Sequence, residues 1–158
     1  MLFNEIIATT TEEVCNSWFD FYSIGHICFG IGVFLLFSLF YTIPKAKGKV
    51  PIFSLLLVFI LSLVIFVAWE ILENYVFFWL GLDYLKFERR PDSLQNMTAD
   101  ILLGAIGALG TWLFAYMTFE KDKKIWPYYT FGIISLFLWL GIFVILRYLT
   151  FMNSPVIT

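Results

Sequence analysis

Four stretches of the chain stay apolar for about 20 residues or more, the length a helix needs to cross a hydrocarbon core of ~30 Å. They cover roughly 18–43, 52–80, 97–118 and 128–151, each with a few polar residues embedded. Local signals mark the ends. Ser17-x-x-Asp20 reads as a capping box opening the first helix, and Pro44 reads as its close. Pro51 and Pro127 fall where the next helices would start, a place where a missing N–H costs nothing. Short connections between four spans predict an all-α, antiparallel, integral membrane four-helix bundle. No internal repeat or low-complexity tract divides residues 1–158 into more than one domain.

The segment before the first span, MLFNEIIATTTEEV, has neither a basic leader nor a long apolar run, so it does not read as a cleaved signal peptide. It is expected to lie at the interface with Phe3, Ile6 and Ile7 toward lipid.

Composition agrees with the pattern. The chain is 61% hydrophobic and 21% aromatic with 14% charged residues, against roughly a quarter charged in an ordinary globular domain. A net charge of −2 without a concentrated basic face excludes nucleic-acid binding. Lys45, Lys47 and Lys49 fill the first loop and Lys121, Lys123 and Lys124 the third, while the second holds Lys86, Arg89 and Arg90. The positive-inside rule then puts a multi-pass protein in the cell membrane with both termini and the second loop extracytoplasmic. Trp18, Trp79 and Trp126 stand near helix ends, as an aromatic belt requires. Cys15 and Cys28, if helical throughout, would lie about 20 Å apart, too far for a disulfide.

The polar residues inside the spans carry the candidate chemistry, because an ionised carboxylate at mid-membrane costs roughly 2.5–3.5 kcal/mol on insertion scales. Glu70, Glu73, Asn74 and Phe77 recur at i, i+3, i+4, i+7 on one face of the second helix. Asp92, Asn96 and Asp100 are four apart, so they form a stripe that Gly104 and Gly107 continue. Small residues of that kind let membrane helices approach closely. Tyr22, Ser23, His26 and Gly30 share a face of the first helix. In an up-down bundle the starts of helices one and three and the ends of two and four meet on one side. His26, Glu70, Glu73, Asn74, Asp92, Asn96, Asp100 and Arg147 all belong to those ends.

One imidazole among several carboxylates is a ligand set for Mg²⁺, Mn²⁺ or Zn²⁺. On this reading His26, Glu70, Glu73 and Asp100 are metal ligands, and Glu70, Glu73 and Asp100 act in catalysis. Asn74, Asp92 and Asn96 help to bind substrate, and Arg89 and Arg90 meet a lipid phosphate in fork geometry. Asp92 also reads as a helix N-cap, and Arg147 as a snorkelling residue or a counter-ion to the acids. No nucleophile elbow, phosphate loop or HExxH motif occurs.

The motifs Trp69-Glu70-Ile71-Leu72-Glu73-Asn74 and Asp92-Ser93-Leu94-Gln95-Asn96-Met97-Thr98-Ala99-Asp100, after GHICFG around His26, carry a resemblance. Over roughly 20–110 the chain resembles a bacterial integral membrane protein family of unknown function with WE-x-x-EN and DS-x-x-N-x-x-x-D motifs. More distantly it is similar to VanZ-like membrane proteins. The resemblance selects the same residues and implies no reaction.

Two functions therefore stand as expectations. One is a divalent-metal-dependent hydrolase or transferase acting on a lipid or polyprenyl phosphate headgroup. The other is a non-catalytic membrane subunit or assembly factor that uses the polar cluster for helix–helix association, within a homo-oligomer or a larger membrane complex. Proton or ion transport is a third, which four spans would need a homodimer to support.

Overall fold

The computed structural model describes residues 6–85, 90–121 and 124–154, and nearly all of its regular structure is helical. Helices α1 (Phe21–Ala46), α2 (Leu55–Trp79), α3 (Leu94–Lys121) and α4 (Trp126–Asn153) follow in order, each long and apolar enough to cross a membrane. The chain is an all-α, four-helix membrane bundle. Half of the most apolar window of α1 is buried inside the protein, against 6% for α4, so α1 is the axis and α4 faces mainly outward. The other three helices all pack on α1, and α3 also packs against α2 and, more lightly, α4.

The helix ends are set by local hydrogen bonding, and here the sequence reading needs correcting. The capping box lies three residues later than Ser17-x-x-Asp20. Asp20 is the N-cap, its Oδ1 accepting the N–H groups of Tyr22 (2.8 Å) and Ser23 (3.1 Å), while Ser23 Oγ accepts the N–H of Asp20 at 3.2 Å. The later register is favoured because the other Asp20 oxygen also takes the N–H of Cys15 at 3.0 Å. Cys15 sits at φ 68°, a left-handed turn that folds the preceding loop back over the bundle. It is thus not helical, and both cysteines are buried and outside any disulfide, as expected.

Pro44 does not close α1 either. The helix breaks at Ser38 and resumes over Leu39–Ala46 with Pro44 inside it. Proline leaves the carbonyl four residues earlier without its helical donor, and the N–H of Ile52 supplies one to Phe40 at 3.0 Å. At the Ser38 break, hydroxyls join α1 to α4. Tyr128 donates to Ser38 Oγ at 3.0 Å, and Thr42 and Tyr129 pair at 2.8 Å. Ser54 caps α2 through Leu57 N–H, so Pro51 precedes that helix, whereas Pro127 does occupy the first turn of α4. Ser93 opens α3, its carbonyl accepting Met97 N–H and its hydroxyl Asn96 N–H, and Asp92 is not the cap.

The N-terminal loop is more than an interfacial strip. Ile6 and Ile7 are exposed as expected, while Phe3 lies outside the described residues. Backbone bonds from Ala8 to Phe19 and from Phe19 to Ile6 close the loop, and Ala8, Val14 and Cys15 bury against Phe21. This plug covers the polar end of the bundle. Trp18, Trp79 and Trp126 face outward near the helix ends.

Candidate metal centre

His26 lies in the second turn of α1, where its ring meets one acid from each of two other helices. Nδ1 is 3.5 Å from Glu70 Oε1 on α2, and Nε2 is 3.6 Å from Asp100 Oδ2 on α3. Glycine makes the reach possible. A Cβ on Gly30 would run into the Gly104 carbonyl and one on Gly107 into the Ile27 carbonyl, so α1 and α3 touch backbone to backbone just below His26. Glu70 is 1% and Asp100 2% exposed, both within apolar spans. An imidazolium balances only one ionised carboxylate, and a further cation would balance the second.

Glu70 is held from behind. Its Oε2 accepts the Asn74 amide at 3.0 Å, and Asn74 Oδ1 accepts the Asp92 N–H at 2.7 Å. The spacing of Glu70, Glu73, Asn74 and Phe77 predicts a single α-helical face, but Leu72–Val76 is a π-helical turn. The wider turn resets the register, so buried Asn74 continues the line from Glu70 while Glu73 is only half-buried. Such π-turns recur at functional sites.

Beside the ring lies a cavity of about 360 Å³ bounded by His26, Asp100, Glu73, Asp92, Tyr22, Gly25 and the aromatic rings of Phe29, Trp69 and Phe143. Asp100 Oδ1 has no hydrogen-bond partner among the described residues. One donor atom each from His26, Glu70 and Asp100 falls within 4.8 Å of the others. Bonds of ~2.1 Å would bring ligating donors to about 3–4.2 Å apart, so His26 Nε2 and Asp100 Oδ2, 3.6 Å apart, already stand at ligand spacing. One nitrogen with carboxylate oxygens suits Mn²⁺ or Zn²⁺, and Mg²⁺ if water completes the shell.

No protein-family model, curated protein or solved structure matches the chain.

The other candidates divide by what they touch. Glu73 and Asp92 border the cavity but lie outside the group of three. Asn96 donates to the Ser17 carbonyl at 2.9 Å and to Asp20 Oδ2 at 3.3 Å, away from the ring. Arg90 clamps the N-terminal plug through the carbonyls of Glu12 (2.8 Å) and Val14 (2.7 Å). Arg89 lies outside the described residues. Arg147 is exposed, its guanidinium 5.6 Å from the Phe151 ring, and does not act as counter-ion to the cluster.

Sequence reasoning placed Asp20 at the end of the Ser17-x-x-Asp20 box and missed it as the cap, although the Asp20-x-x-Ser23 spacing was there to find. Its carboxylate joins plug, α1 and α3 by accepting from Cys15, Tyr22, Ser23 and Asn96. Burial holds it above the usual carboxylate range, while the N–H donors of Cys15 and Ser23 pull it down. Replacing Asp20 by Ala removes the cap, takes the acceptor from the buried Cys15 N–H and leaves the Asn96 amide only the Ser17 carbonyl. We expect a loss of roughly 2–4 kcal/mol, read as a lower melting temperature in detergent with early proteolysis of the N-terminal loop.

Proposed function

We propose that His26, Glu70 and Asp100 form a divalent-cation centre in a membrane enzyme that hydrolyses or transfers the phosphate headgroup of a lipid or polyprenyl substrate. One observation carries this reading: Asp100, buried within an apolar span, has an oxygen without a hydrogen-bond partner and borders a cavity beside the His26 ring. That oxygen loses its hydration with no hydrogen-bond donor in return, and a cation entering the cavity would compensate it.

The two ring nitrogens divide the labour. Nε2 and Asp100 face the ion, and Glu70 takes the Nδ1 side, orienting the ring as carboxylate–histidine–metal sets do. When bound, a divalent cation would neutralise phosphate oxygens and lower the pKa of a coordinated water. Glu73 and Asp92 stand at the cavity, where a carboxylate can accept or return a proton. Lys45, Lys47 and Lys49 lie at the opposite end of the bundle, which supports an extracytoplasmic site in the cell membrane.

The test is elemental analysis of the purified protein, followed by melting with and without added Mn²⁺ or Zn²⁺. We expect bound divalent metal near one equivalent, and a melting temperature that rises with metal and falls with chelator. A chain that carries no metal and melts at one temperature in all conditions would sink the proposal. A second reading, a non-catalytic subunit, is favoured by a single feature: the cluster draws one member from each of three helices and so could serve as their glue.

A further inference from the structure

The cavity beside His26 is graded along the membrane normal. Asp92 precedes the first residue of α3, and Glu73 lies three residues nearer the end of α2 than Glu70, which meets His26. His26 and Asp100 come next, five and six residues beyond the starts of their helices, or roughly 8–9 Å inward. Of the aromatic rings, Phe29 is three residues deeper than His26, Trp69 adjoins Glu70 at the level of the ligands, and Phe143 packs beside Tyr22 and Gly25. Acids thus stand toward the surface end, and aromatic rings flank the candidate ligands, with Phe29 reaching toward the bilayer centre. A lipid of the same leaflet has the same order, with its headgroup outside and its chain inside.

The side of the cavity points the same way. Trp69 comes from α2 and Phe143 from α4, two helices that pack on α1 without a packed seam between them. Trp69 is 39% exposed, and its ring lies 5.7 Å from that of Phe29, so the aromatic wall continues onto the lipid-facing surface. A soluble phosphate would need neither this wall nor this gap.

We propose that the substrate is a long-chain phosphate which enters sideways from the bilayer between α2 and α4. Its phosphate meets the ion at His26 and Asp100, and the first part of its chain lies on Phe29, Trp69 and Phe143. The assignment rests on the metal reading of the site, which supplies the positive charge that a phosphate needs among these acids.

The experiment uses the full chain in nanodiscs, first titrated with Mn²⁺ and then, Mn²⁺-loaded, with inorganic phosphate, hexyl phosphate, farnesyl phosphate and farnesol. Farnesyl phosphate is expected to bind at least tenfold more tightly than inorganic phosphate, with hexyl phosphate between them and farnesol weakest. Trp69→Ala and, as a second variant that fills the cavity, Gly25→Leu should each erase most of that chain-dependent gain. Equal affinity for inorganic and farnesyl phosphate, or a gain that survives both substitutions, would overturn the lipid assignment and leave the metal centre standing. Failure of the wild-type protein to bind Mn²⁺ in the first titration would overturn both.

Discussion

Asp100→Asn is expected to abolish Mn²⁺ binding, and Glu70→Gln to weaken it about 10–100-fold, the usual cost of losing a residue that orients a ligand. The difference follows from which side of His26 each acid occupies. Asp100 borders the cavity, has an oxygen without a hydrogen-bond partner and lies 3.6 Å from Nε2, so it is the ligand the ion meets first. Glu70 lies against Nδ1 with its other oxygen on Asn74, so it fixes the direction of the ring. Neither substitution changes shape appreciably. Each removes a negative charge from an apolar span, where an ionised acid costs roughly 2.5–3.5 kcal/mol. Melted without metal, both variants should therefore be as stable as the parent or more so. A cluster serving only as helix glue predicts the reverse, with both variants melting lower and metal immaterial. Calorimetric Mn²⁺ titration alongside metal-free melting separates the cases, and Asp100→Asn that binds Mn²⁺ like the parent would defeat the metal reading.

The spans and the convergence of His26, Glu70 and Asp100 were legible because both follow from period and topology. Hydrophobic length gave the four helices to within a few residues at most ends, and antiparallel order carried the three side chains to one end of the bundle. The errors came where one backbone group chooses between nearby partners. Asp20 displaced Ser17 as the cap because its carboxylate also satisfies Cys15, a contact made by a loop that no periodic pattern describes. Pro44 stayed inside a helix because Ile52, eight residues on, supplied the missing donor. The π-turn at Leu72–Val76 left no mark in the pattern of apolar positions, yet it separates Glu73 from Asn74 in burial. Arg90 and Asn96 looked like ligand-binding groups by type and spacing. Their partners are carbonyls of the N-terminal plug, whose return over the bundle end could be seen only in the fold.

Gly30→Ala and Gly107→Ala are each expected to destabilise the protein by about 2–3 kcal/mol, and to weaken Mn²⁺ binding as well. A new Cβ at either position would collide with backbone, the Gly104 carbonyl in one case and the Ile27 carbonyl in the other. A flexible side chain can swing away from such a clash, but a carbonyl within a helix cannot move without moving the helix. The relief is therefore a separation of α1 from α3. Membrane helices have no hydrophobic force between them to resist it, since lipid is as apolar as their own side chains. His26 rides on α1 and Asp100 on α3, so the same displacement opens the 3.6 Å contact at Nε2. The chain carries its own controls in Gly32 and Gly141, where an added Cβ meets nothing within 4 Å. Alanine there should leave melting and Mn²⁺ affinity within error of the parent. If all four variants melt together, the close seam between α1 and α3 does not set the geometry of the centre. If only Gly30→Ala and Gly107→Ala lose both stability and metal, the glycines hold the ligands at working distance.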